Sequence, residues 1–302
     1  MASKIPTSNF FQEWKGHPIA QVSIFNSITR ATRPNKPIIY LAGDSSLDNK
    51  AWIPSPGPNG EPLPVDVPDI YPVVLERPTP KPDVAFWLNH LFGDRATALN
   101  LAVEESLLRE RSVGLLKHDR FIRDHLRDED ILVVSVGAND IALKPTFSTI
   151  LRMLQLAWLT PRRSLERGTA WSLSYSKDLF KNQLQTYVTR LVEKQRPRAV
   201  VICMIYFPLE AGASNQESWA DLSLGLLGYN RHPEQLQSAI KRIYEIATKQ
   251  IQIPETTVIP CALFDALDGK SAQDYIARVE PSTEGGRKMA VKISETLTPY
   301  LK

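Results

Sequence analysis

The chain has 302 residues, of which 43% are hydrophobic and 23% are charged, and its net charge is +3. This length and balance are typical of a globular protein with one large α/β domain or two modest ones. The small net charge, carried on dispersed Lys and Arg, does not favour nucleic-acid binding. Cys203 and Cys261, the only cysteines, are typical of core residues in a reducing compartment, not of a disulfide framework or a metal site.

No apolar run reaches the roughly 18 residues that a membrane-spanning helix needs. The first residues, up to Trp14, contain no apolar stretch of the kind that a signal peptide requires. We therefore expect a cytoplasmic protein.

Five short apolar runs predict buried strands. They occupy residues 37–42, 98–103, 131–136, 199–206 and 257–263. None alternates apolar and polar residues, which indicates strands covered on both faces, as in a parallel sheet. Helical patterns occupy residues 83–91, 113–126, 177–194, 233–250 and 286–301. This order predicts a single domain over residues 1–302, a three-layer α/β/α sandwich with a five-stranded, mostly parallel, doubly wound sheet.

An N-terminal extension, residues 1–36, precedes the first strand, and three insertions interrupt the α/β order. The first insertion, 53–82, holds ten of the 23 prolines; the second is 158–175, and the third, 207–230, carries Trp219. Each follows the carboxyl end of a strand, directly or after a helix, and ligands of open α/β sheets bind at that edge. We therefore predict lid-like walls over a pocket. The alternative is surface insertions without function.

The first strand ends abruptly in Gly43-Asp44-Ser45, and Ser-Leu-Asp-Asn follows. A small residue, an acid and a hydroxyl thus stand where a strand gives way to a turn or helix. Such a turn exposes a serine nucleophile and leaves backbone N–H groups free to bind an oxyanion. The alternative is a plain strand-to-helix turn capped by Asp or Ser.

A second motif, Gly137-Ala138-Asn139-Asp140, follows the third strand, although Asn-Asp alone is also an ordinary turn or cap. Together the two motifs resemble the first and third sequence blocks of the SGNH/GDSL hydrolases. The resemblance implies a flavodoxin-like sandwich that needs no cofactor and hydrolyses esters or thioesters through an acyl-enzyme. It implies that Ser45 is the nucleophile and that the Asn139 amide, an uncharged donor, binds the oxyanion. Asp44 and Gly137 are expected to support them.

Two other family blocks are degenerate in this chain. The family's second block contains a glycine whose N–H is the third oxyanion donor, and Glu105 takes that place here. The N–H survives this change, but a carboxylate turned into the hole would repel the oxyanion. The fifth block, Asp-x-x-His-Pro in the family, reads Ala-Arg-Val-Glu-Pro here. Glu280 therefore stands at the histidine position and Ala277 at the aspartate position.

The missing histidine puts proton transfer, not the fold, in question. An ordinary glutamate has a pKa of about 4.3, roughly two units below histidine. Glu280 acts as a base only if burial or a neighbour such as Glu105 raises its pKa. Arg278 would pair either with Glu280, lowering its pKa, or with an anionic group of the substrate. His232, after the fourth strand, is the substitute base that we consider, and a helix-start role is its alternative.

Three functions remain open. The first is a serine esterase or acyl-transfer enzyme for a small, largely apolar ester or thioester, with Ser45 as nucleophile and Glu280 or His232 as base. The second is an isomerase, cyclase or lyase that uses Glu105 and Glu280 as acid and base. The third is a protein that binds a ligand without turnover. In each case we expect a small-molecule ligand and no cofactor, metal, nucleic acid or membrane span.

Overall fold

The structure, a computed structural model, describes residues 3–56, 60–143, 174–213 and 217–301. Residues 158–173, most of the second insertion, lie outside the described residues. The central strands are β1 (Ile38–Gly43), β2 (Thr97–Asn100), β3 (Ile131–Ser135), β4 (Ala199–Met204) and β5 (Val258–Ala262). They pair in the order β2-β1-β3-β4-β5, which is the flavodoxin-like order with a ligand crevice beyond the carboxyl ends of β1 and β3.

The strands form because their Val, Ile and Leu side chains are buried on both faces of the sheet. Every residue of β1 to β4 is buried, as expected for parallel strands covered by helices on both sides. All four strand pairs are parallel. The five predicted strands are confirmed.

Helices cover the sheet, and a small hairpin follows β5. The described helices are α1 (Thr7–Phe10), α2 (Ile19–Thr32), α3 (Ile70–Val74), α4 (Val84–Phe92), α5 (Leu108–Val113), α6 (Lys117–His125), α7 (Ala138–Ala142), α8 (Ser174–Lys177), α9 (Leu184–Leu191), α10 (Asp221–Leu226), α11 (Pro233–Ile246) and α12 (Thr283–Leu297). A π-helical stretch, Asp178–Gln183, joins α8 to α9. The hairpin consists of β6 (Tyr275–Ile276) and β7 (Glu280–Pro281), which pair antiparallel.

The helices divide between the two faces of the sheet. Helix α4 packs against α12, whereas α6 packs against α2 and α9. Because connections between parallel strands are right-handed, α4 and α12 cover one face, and α6, α9 and α11 cover the other. The predicted three-layer α/β/α sandwich is therefore confirmed.

Two predicted helices differ from the observed ones. The pattern at 113–126 contains the end of α5 and all of α6, because Gly114 is extended and the Asp119 carboxylate accepts from the Leu116 N–H at 3.0 Å, starting a new helix. The last helix begins earlier than predicted. Its start is fixed by Ser282, whose hydroxyl accepts from the Gly285 N–H at 3.1 Å, as an N-cap does.

The first insertion packs against the N-terminal extension. Its helix α3 buries Ile70, Tyr71 and Val74 and contacts α2 of the N-terminal extension, and Leu75 bridges to Ile5. Apolar residues inside the proline-rich stretch thus attach it to the extension. None of its described residues lines the cavity at the carboxyl edge of the sheet, so the lid-like wall predicted for this insertion is not observed there.

Across the ranges given above, no helix combines the length and the apolar character needed to cross a bilayer.

Candidate active site

Ser45 lies on the turn directly after β1, at the carboxyl edge of the sheet. The turn closes on Asp44, whose carbonyl oxygen accepts from the Leu47 and Asp48 N–H groups at 3.0 Å each. Gly43 has φ 151°, and a methyl group there would lie 1.8 Å from the Ser135 carbonyl oxygen of β3. Only glycine allows β1 to pass β3 so closely before the turn. The sequence therefore places Ser45, which is largely buried, at the edge of the crevice.

Asp44 holds the two motifs together. Its buried carboxylate accepts from the N–H and hydroxyl of Ser46, at 3.1 and 2.8 Å, and from the Gly137 N–H at 3.2 Å. Gly137, with φ 119°, starts α7 after β3. Burial raises the pKa of Asp44 to about 6, although these hydrogen bonds favour its charged form. Asp44 and Gly137 thus position the turn that carries Ser45.

Asn139 lines the same cavity as Ser45. Its buried side-chain amide donates one hydrogen bond, 3.2 Å long, to the Ser106 carbonyl oxygen. An amide nitrogen has two hydrogens, and the second has no partner among the residues that the structure describes. The next residue, Asp140, accepts from the Leu108 N–H at 2.7 Å. These contacts join the turn after β3 to the loop after β2.

The loop after β2 makes a tight turn in which Ser106 N–H donates to the Val103 carbonyl at 3.2 Å. Glu105 has φ 58°, a left-handed conformation that favours glycine. Within the described part of the chain, neither its N–H nor that of Ser45 donates a hydrogen bond. Two backbone donors therefore remain free in the segments that meet Asn139.

The Glu105 carboxylate turns away from the site, which contradicts the hypothesis that Glu105 and Glu280 act together as acid and base. Its side chain is 38% exposed and lies 2.7 Å from Lys15 Nζ. The adjacent Glu104 turns inward instead, with only 2% of its surface exposed. Neighbouring side chains in a tight turn point in different directions, so a Glu-Glu pair at this edge places one carboxyl inside. The sequence signal for the buried carboxyl is therefore the pair Glu104-Glu105, of which the motif alignment indicates only Glu105.

Glu104 is held in the interior by two hydrogen bonds. Its Oε1 accepts from Trp52 Nε1 at 3.0 Å, and its N–H donates to Asp48 at 2.8 Å. Its Oε2 has no hydrogen-bond partner among the described residues. Burial, and then the negative charge of Glu280, raise the pKa of Glu104 to about 9. Glu104 therefore keeps its proton at neutral pH.

Glu280 lies on β7 with 1% of its surface exposed, and it lines the cavity with Ser45. Its Oε1 accepts from Trp219 Nε1 at 3.2 Å. Burial raises its pKa to about 7, opposed mainly by the hydroxyl of Ser45. Oε2 makes no hydrogen bond within the described residues, so this oxygen is available to the Ser45 hydroxyl or to a ligand.

Arg278 does not pair with Glu280. Its guanidinium donates to the Leu209 carbonyl at 3.1 and 3.2 Å, to Asp221 at 2.6 Å and to Asn230 at 2.9 Å. The turn that presents Glu280 is strained, since both Ala277 and Arg278 have positive φ, 47° and 66°. Arg278 thus fastens this turn to the third insertion, and the same insertion supplies Trp219.

His232 lies outside the site, so the substitute-base prediction is wrong. Its side chain is 64% exposed and sits 3.7 Å from Glu234, directly before Pro233 at the start of α11. All five histidines of the chain lie within the described residues, and none of them lines the cavity. Among the described lining residues, the carboxylates that share the cavity with Ser45 are those of Asp44 and Glu280, and the Asp44 carboxylate is already bonded to Ser46 and Gly137.

The cavity has a polar end and an apolar end. Ser45, Asn139 and Glu280 lie at the polar end. The remaining lining is mostly apolar, and its main contributors are Phe180, Met204, Leu224, Leu227, Leu236, Ala239, Ile240 and Ile243. Trp219 of the third insertion also lines it, as expected for a wall. Among the described residues, no group of three His, Cys, Asp or Glu side chains is placed to hold a metal ion.

No protein-family model and no curated protein sequence matches the chain. Solved structures of similar fold include a lipase/acylhydrolase from Enterococcus faecalis, 12% identical, with 88% of this chain and 97% of that chain covered and a TM-score of 0.44. A putative GDSL-like lipase from Bacteroides ovatus is 12% identical, with 89% and 54% covered and a TM-score of 0.39. An inhibitor-bound aryl esterase from M. smegmatis is 9% identical, with 87% and 99% covered and a TM-score of 0.44. Similarity at this level carries nothing about activity, which rests on the residues of the site.

Proposed function

We propose that the chain is a serine-dependent acyl hydrolase or acyltransferase of the SGNH type, with Glu280 as the general base for Ser45. One observation carries this proposal: the buried carboxylate of Glu280 lines the same cavity as Ser45. Burial raises the pKa of this carboxylate to about 7. A general base works best when its pKa lies near the working pH. Burial brings Glu280 close to the ordinary value of about 6.5 for histidine.

Each residue of the site has a role in this reaction. Ser45 Oγ attacks the acyl carbonyl carbon while Glu280 takes the hydroxyl proton. The Ser45 and Glu105 N–H groups, with the Asn139 amide, receive the oxyanion. When the acyl bond to the leaving oxygen or sulfur breaks, Glu280 returns the proton to that atom. Water, or a second alcohol, then repeats the steps in reverse and frees Ser45.

Labelling with a fluorophosphonate tests the nucleophile, because this probe bonds to activated serines. We expect one adduct on Ser45, no adduct in Ser45→Ala, and a rate that rises with pH through about 7, the pKa of Glu280. Glu280→Gln should slow labelling by about 10² to 10⁴-fold. Glu284→Gln is the matched control, since Glu284 is bonded to Arg287 on α12 and should label normally. A protein that binds the probe's alkyl group yet gives no adduct would exclude the proposal.

A second candidate follows from the inward position of Glu104. Glu104 and Glu280 have pKa values of about 9 and about 7, and two carboxyl groups whose pKa values are pushed apart can serve as acid and base. This arrangement suits an isomerase, cyclase or lyase that does not use the serine. The two candidates differ in Ser45→Ala, which abolishes the first activity and largely preserves the second.

A further inference from the structure

The charge distribution of the cavity separates a reacting end from a binding end. Among its described lining residues, the only charged side chains are Asp44 and Glu280, and both lie beside Ser45. The other end contains no Lys, Arg or His within the described lining. A ligand part that extends into that end must therefore be uncharged and apolar, because an unpaired charge there would lose its hydration.

Helix α11 supplies one wall of the apolar end. Leu236, Ala239, Ile240 and Ile243 line the cavity, and their spacing of three, four and seven residues puts them on one helix face. The stripe spans seven residue steps, or about 10 Å of helix. Other residues that line the cavity include Phe180 of the π-helical stretch and Met204 at the end of β4. Aliphatic side chains thus dominate, which suits a flexible alkyl chain.

The positions of Ser45 and Met204 at the sheet edge indicate how long an alkyl chain the cavity would hold. Ser45 follows β1, and Met204 ends β4, which lies two strands away in the sheet. Two strand spacings amount to about 9.6 Å. An extended alkyl chain, with bonds of about 1.5 Å, advances about 1.3 Å per carbon. A chain that starts at the Ser45 hydroxyl therefore needs about eight carbons to span the cavity to Met204.

We propose that the apolar end binds the acyl part of the substrate as a straight aliphatic chain, so that the protein acts on medium-chain acyl esters or thioesters. This inference rests on the proposed serine chemistry, because the length is measured from Ser45. Ala239 has the smallest side chain of the α11 stripe, so the acyl chain would pass along the helix at this position. A larger side chain at this position should shorten the preferred acyl group.

A series of p-nitrophenyl esters measures the length preference. We expect kcat/KM to rise from acetate through butyrate to octanoate and to fall at palmitate. Octanoate has six more methylenes than acetate, and each contributes at most about fourfold when it is fully buried, which sets a ceiling of about 4,000-fold. Because partial burial at about twofold per methylene already gives a large effect, octanoate should exceed acetate by at least on the order of 100-fold. Equal values for acetate and octanoate would overturn the inference.

Two substitutions on the same helix give the structural control. Ala239→Phe should lower the ratio of octanoate to acetate activity by about tenfold or more, the effect of excluding at least two methylenes. Glu245→Phe adds the same ring to the exposed face of α11 and should leave the ratio unchanged. Ile243→Ala, which enlarges the far end, should move the optimum to a longer acyl chain and covers the case in which Ala239→Phe does not fold. An unchanged profile in the folded variants would contradict the inference.

A binding measurement separates this inference from the proposed function. Calorimetry with Ser45→Ala should detect octanoate but not acetate, and Ala239→Phe combined with it should weaken octanoate binding. Octanoate binding together with no ester hydrolysis by the natural chain would reject the hydrolase and keep the acyl site. Hydrolysis without chain-length preference or octanoate binding would reject the acyl site alone.

Discussion

The buried carboxyl of Glu104 makes the stability of the protein depend on pH. The folded chain keeps this proton up to a pKa of about 9, whereas an ordinary glutamate releases it near 4.5. Between these values the unfolded chain binds fewer protons than the folded one, so the free energy of unfolding falls as pH rises. The slope is about 1.4 kcal/mol per pH unit, and between about pH 4.5 and pH 7 the loss is roughly 3 kcal/mol.

Glu104→Gln removes this loss. Glutamine is uncharged at every pH and has nearly the same shape, and its amide oxygen can still accept from Trp52. The variant should therefore become more stable than the natural chain as pH rises, by a difference that grows by roughly 3 kcal/mol between about pH 4.5 and pH 7. The pKa of Glu280 is also raised, so Glu280 makes stability depend on pH in the natural chain and in the variant alike. This contribution largely cancels when the two stabilities are subtracted.

Urea denaturation at several pH values measures the difference, and the neighbouring residue provides the control. Glu105→Gln makes the same substitution one position later, on a side chain that is 38% exposed and paired with Lys15. Exposed pairs of this kind contribute about 1 kcal/mol or less, so Glu105→Gln should run parallel to the natural chain. If Glu104→Gln runs parallel as well, Glu104 is ionised in the folded protein and the reasoning fails.

Three further predictions test the scaffold of the site. Gly43→Ala should cost about 4 kcal/mol or prevent folding, since its methyl group would lie 1.8 Å from a carbonyl oxygen; near-normal urea stability would contradict this. Trp219→Phe removes a hydrogen-bond donor to the Glu280 carboxylate, so the pH at which the labelling rate is half-maximal should rise by about one unit. If this pH does not change, Trp219 does not influence proton transfer. Arg278→Lys cannot reproduce the forked contacts and should slow labelling of the serine by about tenfold or more. The exposed Arg231→Lys should label normally, and equal rates in both variants would remove Arg278 from the positioning of the base.

The sequence predicts local features of this site well, because short motifs encode them. Gly43 and Gly137 mark the two strand ends, and the residues after them, Ser45 and Asn139, reach one cavity. Parallel strands that neighbour each other in the sheet bring their carboxyl ends together, so the sequence spacing of the motifs does not matter. The glycine-like conformation of Glu105 also agrees with the motif alignment.

Contacts between distant segments could not be predicted in this way. Trp219 and Glu280 are 61 residues apart and meet through one hydrogen bond. Arg278 lies two residues before Glu280 in sequence, yet its partners lie in residues 209–230. A guanidinium close to a carboxylate in sequence suggests an ion pair. Here the two side chains reach different partners, because the backbone before Glu280 has positive φ and Glu280 itself pairs in the hairpin. Backbone torsion, which residue type does not reveal, likewise decides that Glu104 and not Glu105 points into the interior.

The position of Arg278 decides how basic Glu280 is. An arginine paired with a buried carboxylate lowers the pKa of that carboxylate by about one to three units. Such a shift would make Glu280 too weak a base to take a proton efficiently near neutral pH. The fold directs the Arg278 guanidinium to Leu209, Asp221 and Asn230 instead, and Glu280 faces an uncharged indole and the serine. Burial can then raise the pKa of Glu280 to about 7. The same arginine fixes the strained turn, so in the reaction proposed above it would position the base without neutralising it. The proposed replacement of a histidine by a carboxylate thus depends on Arg278 binding its partners in residues 209–230 and not Glu280.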